Sequence, residues 1–276
     1  MTLSVNTNTG AQVALQNLNA TNAQLAITQN RINTGKSVAT AKDNGAIWAI
    51  AQSQRADIGA LNAVNQSLNR GVAAVDVALA AGETVSDLLI QLKEKALSAT
   101  DSSLTTSARA ALNEDFKSLR NQIATVTANA DFNGVNLLKT GATGFQALAN
   151  AQGTSSLTVG AEVLALGGAN VTITATQSID TLTKATASLT AVNTSIDRVS
   201  ASLARLGTKS KALSTHLTFV GKLSDALEAG VGNLVDADLA KESAKLQALQ
   251  TKQQLGVQAL GIANQTPQLV LSLFRG

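Results

Sequence analysis

The chain has 276 residues, a net charge of +3 and a charged fraction of only 14%. Aromatic residues are 2% of the sequence, whereas a compact enzyme of this length normally fills its core with many of them. The Lys and Arg residues are scattered and cysteine is absent, which argues against nucleic-acid binding, disulfides and thiolate metal sites. The composition therefore favours a thin helical bundle that is not an enzyme.

Neither a signal peptide nor a membrane span is predicted. The first twenty residues lack the basic start and the continuous apolar core of a secretory leader. No stretch approaches the ~18 uninterrupted apolar residues that a membrane-spanning helix needs. If the protein leaves the cell, we expect it to do so without a cleaved signal peptide.

The first predicted helix covers residues 3–33 and has a weak apolar repeat. Leu18, Leu25 and Ile32 recur every seven residues, but polar residues occupy most of the alternate seam positions. Isolated helices depend mainly on packing for their stability. We therefore expect this helix to remain frayed or disordered until a partner covers it.

A linker at residues 34–44 leads to the second helix, predicted over residues 45–99. Gly35 is a natural helix stop, and either Asp43 or Asn44 would cap the next helix. Small residues in the apolar seam of this second helix would allow another helix to approach closely. The seam positions are Leu61, Val64, Leu68, Gly71, Val75, Ala78, Gly82, Val85, Leu89, Leu92, Ala96 and Ala99.

A third helix, capped by Asp101 or Ser102, is predicted to end near Asn129. Its apolar face consists of Leu112, Phe116, Leu119, Ile123 and Val126. After residue 130 the helical periodicity disappears and glycines become frequent. Residues 156–159 with 163–166, and residues 171–173, have the pattern of short strands, which predicts one or two small hairpins.

The longest apolar repeat runs through residues 182–234, with a spacing that alternates between three and four. Such a repeat places one continuous seam along a helix and implies a left-handed supercoil with partner helices. A single long helix inside a globular bundle is the alternative, but the length of the repeat and the lack of proline within it favour a rod. The seam includes Leu189, Ile196, Leu203, Leu206, Leu213 and Leu217.

Asp236 and Asp238 mark the start of a last helix. A catalytic carboxylate pair is conceivable, but helix capping and favourable interaction with the helix dipole explain their position better. The apolar tail at residues 269–274 is too short for a membrane anchor and favours a packing or recognition surface. The seam of this helix includes Leu239, Leu246, Leu249 and Leu260.

These elements predict a mainly α fold, an elongated antiparallel coiled-coil helix bundle with a small β-hairpin region in the middle of the chain. Residues 1–33 and 236–276 would form paired terminal helices. Residues 44–140 and 177–234 would form a long helical bundle, and residues 140–176 would form a small, irregular, β-rich tip.

No catalytic, cofactor-binding or metal site is predicted. His216 is the only histidine, and one histidine without cysteine cannot build a zinc site. The sequence also lacks the HExxH pattern of metalloproteases.

Several segments resemble bacterial flagellin, in the order and at the spacing of that family. They are RINTGKSVATAKDNGAIWAIAQ at 31–52, Asn-Arg-Gly at 69–71, ADFNGVNLL at 130–138, DADLA at 236–240 and ANQTPQLVLSLFR at 263–275. The resemblance covers roughly residues 1–140 and 180–276, with only about forty residues in place of the family's variable outer domains. The chain therefore resembles a short flagellin with almost no outer domain.

The resemblance implies a structural subunit that self-assembles into the extracellular filament of the bacterial flagellum, which serves motility. It implies other flagellin copies as partners, in a homopolymer or a mixed filament, together with the flagellar export machinery and cap. A flagellin-related surface-binding protein or a hook–filament junction protein is the alternative. The subunit interface expected on the terminal helices consists of Leu18, Leu25, Ile32, Leu239, Leu246, Leu260, Leu271, Leu273 and Phe274.

Overall fold

The computed structural model describes the backbone of residues 7–273 and the side chains of residues 7–265. Within these bounds the chain forms five helices and one two-stranded sheet, which confirms the predicted mainly α fold with a small hairpin. The elements are α1 (Thr9–Thr34), α2 (Gly45–Ala99), α3 (Thr106–Asn129), β1 (Phe145–Leu148), β2 (Ser156–Val159), α4 (Leu182–Val235) and α5 (Leu239–Leu273). The chain divides into a terminal unit, Met1–Ala56 with Ala226–Gly276, and a central unit, Asp57–Asp225.

Local chemistry explains where the helices begin and end. Gly35 ends α1 in the left-handed conformation, with a φ of 67°. Asn44 Oδ1 accepts a hydrogen bond from Ile47 N at the start of α2, and Asp238 Oδ1 accepts one from Lys241 N at the start of α5. These three predicted signals are confirmed.

The predicted cap of α3 is wrong. Thr105 caps this helix, because its Oγ1 accepts a hydrogen bond from Ala108 N at 3.2 Å. The carboxylate of Asp101 instead accepts hydrogen bonds from the backbone N–H and the hydroxyl of Ser103. An acidic residue followed two positions later by a serine favours this local turn over a helix start.

In the terminal unit, α1 and α5 pack against each other in antiparallel directions. Asn8 Nδ2 donates to Ala263 O at 2.7 Å near one end of the pair, and Gln253 Nε2 donates to Asn22 Oδ1 at 2.7 Å further along. At the other end, Arg31 forms an ion pair with Glu242. The residue numbers rise on α1 as they fall on α5, which fixes one register over the length of α1.

In the central unit, α2 supplies most of the helical core. All twelve predicted seam positions of α2, from Leu61 to Ala99, are buried. α3 runs back along α2, since Lys95 pairs with Asp115 and Arg109 Nε donates to Ala99 O. The seam that was predicted from spacing alone is therefore confirmed.

α4 also runs antiparallel to α2, because Ser210 donates to Asp76 while Leu203 lies against Gly82. A Cβ atom on Gly82 would stand 2.6 Å from Leu203 Cδ2. That distance is shorter than any ordinary carbon contact, so the glycine permits this close approach of the two helices.

The buried stripe of α4 coincides with the predicted seam only at alternate positions. Leu206 and Leu213 are buried, whereas Leu189, Ile196, Leu203 and Leu217 are only half-buried. Three serines that the prediction placed off the seam are completely buried instead. They are Ser188, Ser195 and Ser202, spaced by seven residues.

The sheet is an antiparallel hairpin in which Phe145 faces Val159 and Leu148 faces Ser156. The prediction of a strand at Ser156–Val159 is confirmed, but its partner is β1 and not residues 163–166. Residues 163–166 do not pair with β2, because backbone N–H groups in and beside this segment donate to carbonyls at residues 137 and 138. Glu162 N donates to Leu137 O, and Leu164 N donates to Leu138 O.

Residues 171–173 are not a regular strand either. Val171 makes only an isolated bridge with Leu166. The irregular segment at residues 162–179, which we call the strap, lies along α3 and α4 and takes its hydrogen bonds largely from their side chains.

Candidate assembly site on the terminal helix pair

The two terminal helices carry very little charge. Residues 1–30 contain no charged side chain, and neither do residues 253–274. The contacts of Asn8 with Ala263 and of Asn22 with Gln253 bring these two uncharged stretches side by side. Between Thr9 and Asn30 and between Gln253 and Gln265 the exposed polar side chains are therefore amides and hydroxyls, whereas Lys241, Lys245 and Lys252 are exposed in the first half of α5.

Between α1 and α5 lies a narrow core of small and branched residues. Thr21 and Thr28 on α1 and Leu249 on α5 are buried. Leu18 packs close to Gly256, where an added Cβ would stand 3.3 Å from Leu18 Cδ1. The core is thin, so this helix pair buries little apolar surface per residue.

Five of the predicted interface residues are half-buried in the terminal unit. They are Leu18, Leu25, Ile32, Leu246 and Leu260. Leu239 is exposed, at the first position of α5. The side chains of Leu271 and Leu273, and the whole of Phe274, lie outside the described residues.

Another set of large apolar side chains on the same helices is exposed to solvent. Leu15 lies on the alternate seam of the first predicted helix, but the other members were not predicted, because they lie off the seven-residue seam. The signal was present in the sequence, since an amphipathic helix facing water would hold polar residues there. The set comprises Val13, Leu15 and Ile27 on α1 and Leu255, Val257 and Ile262 on α5.

A groove of about 240 Å³ opens between the two helices. Small residues at Ala14, Gly256 and Ala259 leave this space, and exposed Leu255 lies at its edge. The groove is large enough for an apolar side chain. Its lining is Ala14, Asn17, Leu18, Thr21, Lys252, Leu255, Gly256 and Ala259.

One ion pair fixes the register of the terminal helices. Arg31 Nη1 donates to Glu242 Oε1 at 3.1 Å, and Glu242 is buried. Among the described residues, no donor reaches Glu242 Oε2 or the buried hydroxyl of Thr28. Burying an unpaired carboxylate raises the free energy of the folded state, and the ion pair with Arg31 offsets this cost for Glu242.

The central unit is held together by hydrogen bonds between the strap and the buried serines of α4. Thr172 N donates to Ser195 Oγ at 3.0 Å, and Gln177 Nε2 donates to Ser188 Oγ at 3.1 Å. On the other side, Ile179 N donates to Asn113 Oδ1 at 2.8 Å. These contacts explain why polar residues occupy the most buried stripe of α4.

The strap begins at a second ion pair. Arg205 donates to both carboxylate oxygens of Glu162, at 2.7 and 2.6 Å. Burial alone would raise the pKa of Glu162, but hydrogen bonds from Arg205 and Ser202 together with the guanidinium charge hold this pKa below its usual value. The two-point geometry gives this pair directional specificity.

Asn136 closes the C-terminal end of α3 and orients the chain toward the hairpin. Its buried amide donates to the carbonyls of Thr127 and Ala128 and accepts from the backbone N–H groups of Leu138 and Lys139. This side chain belongs to the ADFNGVNLL segment. The structure thus gives that segment a helix-terminating role.

His216 has a structural contact. Its Nε2 lies 2.8 Å from Ala149 O beside β1, and its ring packs 5.7 Å from that of Phe219. Within the part of the chain that the structure describes, no cluster of three potential ligands from His, Asp and Glu could hold a metal ion. Among the helices between residues 7 and 273, none has the length and apolarity of a bilayer-crossing segment.

Two family models match this architecture of uncharged terminal helices flanking a central helical unit. The bacterial flagellin N-terminal helical region matches residues 5–143, and the C-terminal helical region matches residues 189–274. Together they cover more than half of the sequence, so the chain belongs to the bacterial flagellin family, whose members are structural proteins of the flagellar filament. Only residues 144–188 separate the two regions, which makes this a short flagellin without a large outer domain.

Relatives extend the similarity to nearly the full length. The chain is 58% identical to flagellin FljM of Caulobacter vibrioides over 272 residues, which covers 99% of this chain and 98% of that protein. It is 56% identical to flagellin FljK of the same organism over 272 residues, with the same coverage. It is 38% identical to a flagellin of Brucella melitensis over 284 residues, covering 99% of each.

A solved structure shares the fold. The crystal structure of Bacillus cereus flagellin superposes with a TM-score of 0.50 at 18% sequence identity, covering 56% of this chain and 88% of that one. The family resemblance predicted from the sequence motifs is therefore confirmed, and with it the role of a filament subunit that assembles with other flagellin copies.

Proposed function

We propose that the terminal helices form the inner layer of the filament and that assembly, not intrachain packing, covers their exposed apolar faces. In this proposal residues 1–33 and 236–276 form the inner core. Residues 44–140 and 177–234 form an outer helical bundle, and residues 140–176 form the small irregular tip. The observation that carries the proposal is the uncharged, partly apolar surface formed by residues 9–30 of α1 and 253–265 of α5.

The charge distribution supports this assignment. Burying an unpaired ionised side chain costs far more than burying an amide or hydroxyl that can find a hydrogen bond. α1 carries no charge before Arg31, and α5 carries none after Lys252. The part of the helix pair within these limits can be enclosed by other subunits without burying an ionised side chain, whereas Lys241, Lys245 and Lys252 in the first half of α5 are exposed charges that must stay solvated or be paired.

The exposed apolar residues supply the driving force. Ile27, Leu255, Val257 and Ile262 are 51–68% exposed in the single chain, so each would gain about half or more of the roughly 1.5–3 kcal/mol that full burial of such a side chain provides. The predicted interface leucines that are half-buried against the partner helix would lose their remaining exposure at the same time. Because such contacts join different surfaces of neighbouring copies, they lead to an open helical polymer.

Electron microscopy of seeded filament growth tests the proposal. Ile27→Lys and Ile262→Lys each place a charge on the surface to be buried, so we expect neither variant to elongate filament seeds. Leu182→Lys is a matched control, because Leu182 is exposed at the start of α4. Normal elongation by both terminal variants would refute the proposal, as would failure of the unmodified chain to form any polymer.

We further infer that the chain reaches the filament through the flagellar export machinery and the cap without cleavage of a leader. The absence of cysteine supports passage as an unfolded chain, since no disulfide could obstruct it. The mass of the filament subunit purified from cells tests this, because retention of the whole chain predicts 28.1 kDa.

We also propose that the protein acts without catalysis. The support is the structural nature of the family and the engagement of His216 by a backbone carbonyl. A hydrolytic activity that co-purifies with the filament and disappears in His216→Ala would overturn this part of the proposal.

A further inference from the structure

An acidic strip with two exposed apolar residues runs along α2. Residues 83–97 contain three acidic side chains, Glu83, Asp87 and Glu94, and two lysines, of which Lys95 is paired with Asp115 on α3. The strip lies opposite the buried row of α2, since its members follow one another at helical spacings of three and four. Its members are Glu83, Asp87, Ile90, Glu94 and Leu97, with Lys93 at its border.

The two apolar members of the acidic strip are as exposed as the acids. Ile90 is 57% exposed and Leu97 is 55% exposed. Glu83, Asp87 and Glu94 have no ion pair within the described residues. Single exposed apolar side chains are common on protein surfaces, so it is their alternation with unpaired carboxylates along one helix face that marks this surface.

A basic face, which also surrounds an exposed apolar side chain, lies on α4. Residues 198–224 contain five basic side chains and no acidic one, although Arg198 and Arg205 are bonded to the strap. Phe219 is 54% exposed on this face, and it is flanked by Lys211, Thr215, Thr218 and Lys222. The described ion pairs do not involve Lys211 or Lys222.

We propose that the acidic strip of α2 on one copy docks against the basic face of α4 on a second copy in the filament. The charges are complementary, and each surface centres on large apolar side chains. The strip spans about 21 Å and the basic face about 17 Å at the helical rise per residue, so the two can lie alongside each other. This inference rests on the proposed function, because it assumes that copies of the chain assemble.

Within one copy, the side chains of the acidic strip cannot pair with those of the basic face. Both surfaces lie on the side of their helix opposite to its buried row, which for α2 includes Val85 and Leu92 and for α4 includes Leu206 and Leu213. The contact joins two different surfaces, so it repeats from copy to copy without closing. Each neighbour therefore offers one acidic strip and one basic face.

Charge reversal followed by rescue tests the docking. The first variant combines Asp87→Lys with Glu94→Lys, and the second combines Lys211→Glu with Lys222→Glu. Since like charges across an interface suppress encounter, we expect each variant alone to elongate seeds about tenfold more slowly than the unmodified chain. An equimolar mixture of the two, and the chain carrying all four changes, should elongate at nearly the original rate.

The controls separate this inference from the proposed function. Lys139→Glu with Glu114→Lys reverses two exposed charges outside both surfaces, and it should elongate normally. Melting curves of all variants should match, because every changed side chain is at the surface. Normal elongation by both charge-reversed variants would overturn the docking while leaving filament formation itself intact. Folded variants that neither the mixture nor the fourfold change rescues would also overturn it.

Discussion

Arg31 Nη1 lies 3.1 Å from Glu242 Oε1, and this ion pair joins the last turn of α1 to the first turn of α5. It lies at the end of the helix pair that also carries the exposed Lys241 and Lys245. The pair also explains why a buried carboxylate occurs in a unit with so thin a core. It fixes the register in which the other α1–α5 contacts form.

Removing Arg31 should therefore loosen the terminal helices. Arg31→Ala leaves the buried Glu242 without its partner, which costs about 1–3 kcal/mol. Amide exchange in α1 of the monomer should become faster, while exchange in α3 should not change. The double variant Arg31→Ala with Glu242→Gln should recover much of the lost protection, and no recovery would show that burial of the carboxylate is not the cause.

The serine stripe of α4 should be sensitive to loss of a single hydroxyl. Ser195→Ala removes a fully buried hydroxyl and leaves the backbone N–H of half-buried Thr172 without its acceptor, which costs about 1–3 kcal/mol of unfolding free energy. Ser200→Ala is the matched control, since Ser200 is exposed on the same helix and donates only to Ile196 O. Equal denaturant midpoints for the two variants would contradict the structural role of Ser195.

The hairpin should depend on one glycine and tolerate change at another. A Cβ on Gly144 would stand 2.1 Å from Val159 O, and this backbone contact cannot move without opening the hairpin. Gly160, at the other strand, has open space around its Cα. We expect Gly144→Ala to abolish amide protection in β1 and β2, whereas Gly160→Ala leaves it unchanged. The reverse result would show that the strand pairing is incorrect.

The start of the strap should loosen in acid. The folded-state pKa of Glu162 lies below its usual value of 4.5, so its stabilising contribution is present above that pH and is lost as the pH falls further. Amide exchange at Leu164, measured across this range, should accelerate on acidification after correction for intrinsic rates. Glu162→Gln should remove that additional acceleration, and an unchanged pH profile in the variant would contradict the assignment to this carboxylate.

The buried face of α2 could be predicted from sequence because its apolar seam is continuous and packs against other helices. On α4 the same reasoning failed to find Ser188, Ser195 and Ser202, because their burial depends on hydrogen bonds with a distant strap that has no periodic pattern. Strand β1 was missed for a related reason. The sequence FQAL lacks β-branched residues, and only pairing with β2 makes it a strand.

In the candidate site, too, some apolar residues could be predicted from the sequence and others could not. Sequence spacing identified residues such as Leu18 and Leu246, which the structure places half-buried within the terminal unit. It did not identify Leu255 or Ile262, because a seam search reports the strongest stripe and overlooks a second one. The antiparallel packing of α1 and α5 was needed to show which apolar residues one copy leaves uncovered.

Amide exchange in the monomer and in the assembled filament, compared residue by residue, tests the central claim most directly. We predict weak protection of α1 and α5 in the dilute monomer, because their shared core is thin and their outer faces are apolar and exposed. In the filament, protection should rise strongly between Thr9 and Asn30 and between Gln253 and Leu273, with much smaller changes in the buried seam of α2. Terminal helices that are already as protected in the monomer as in the filament would contradict the account.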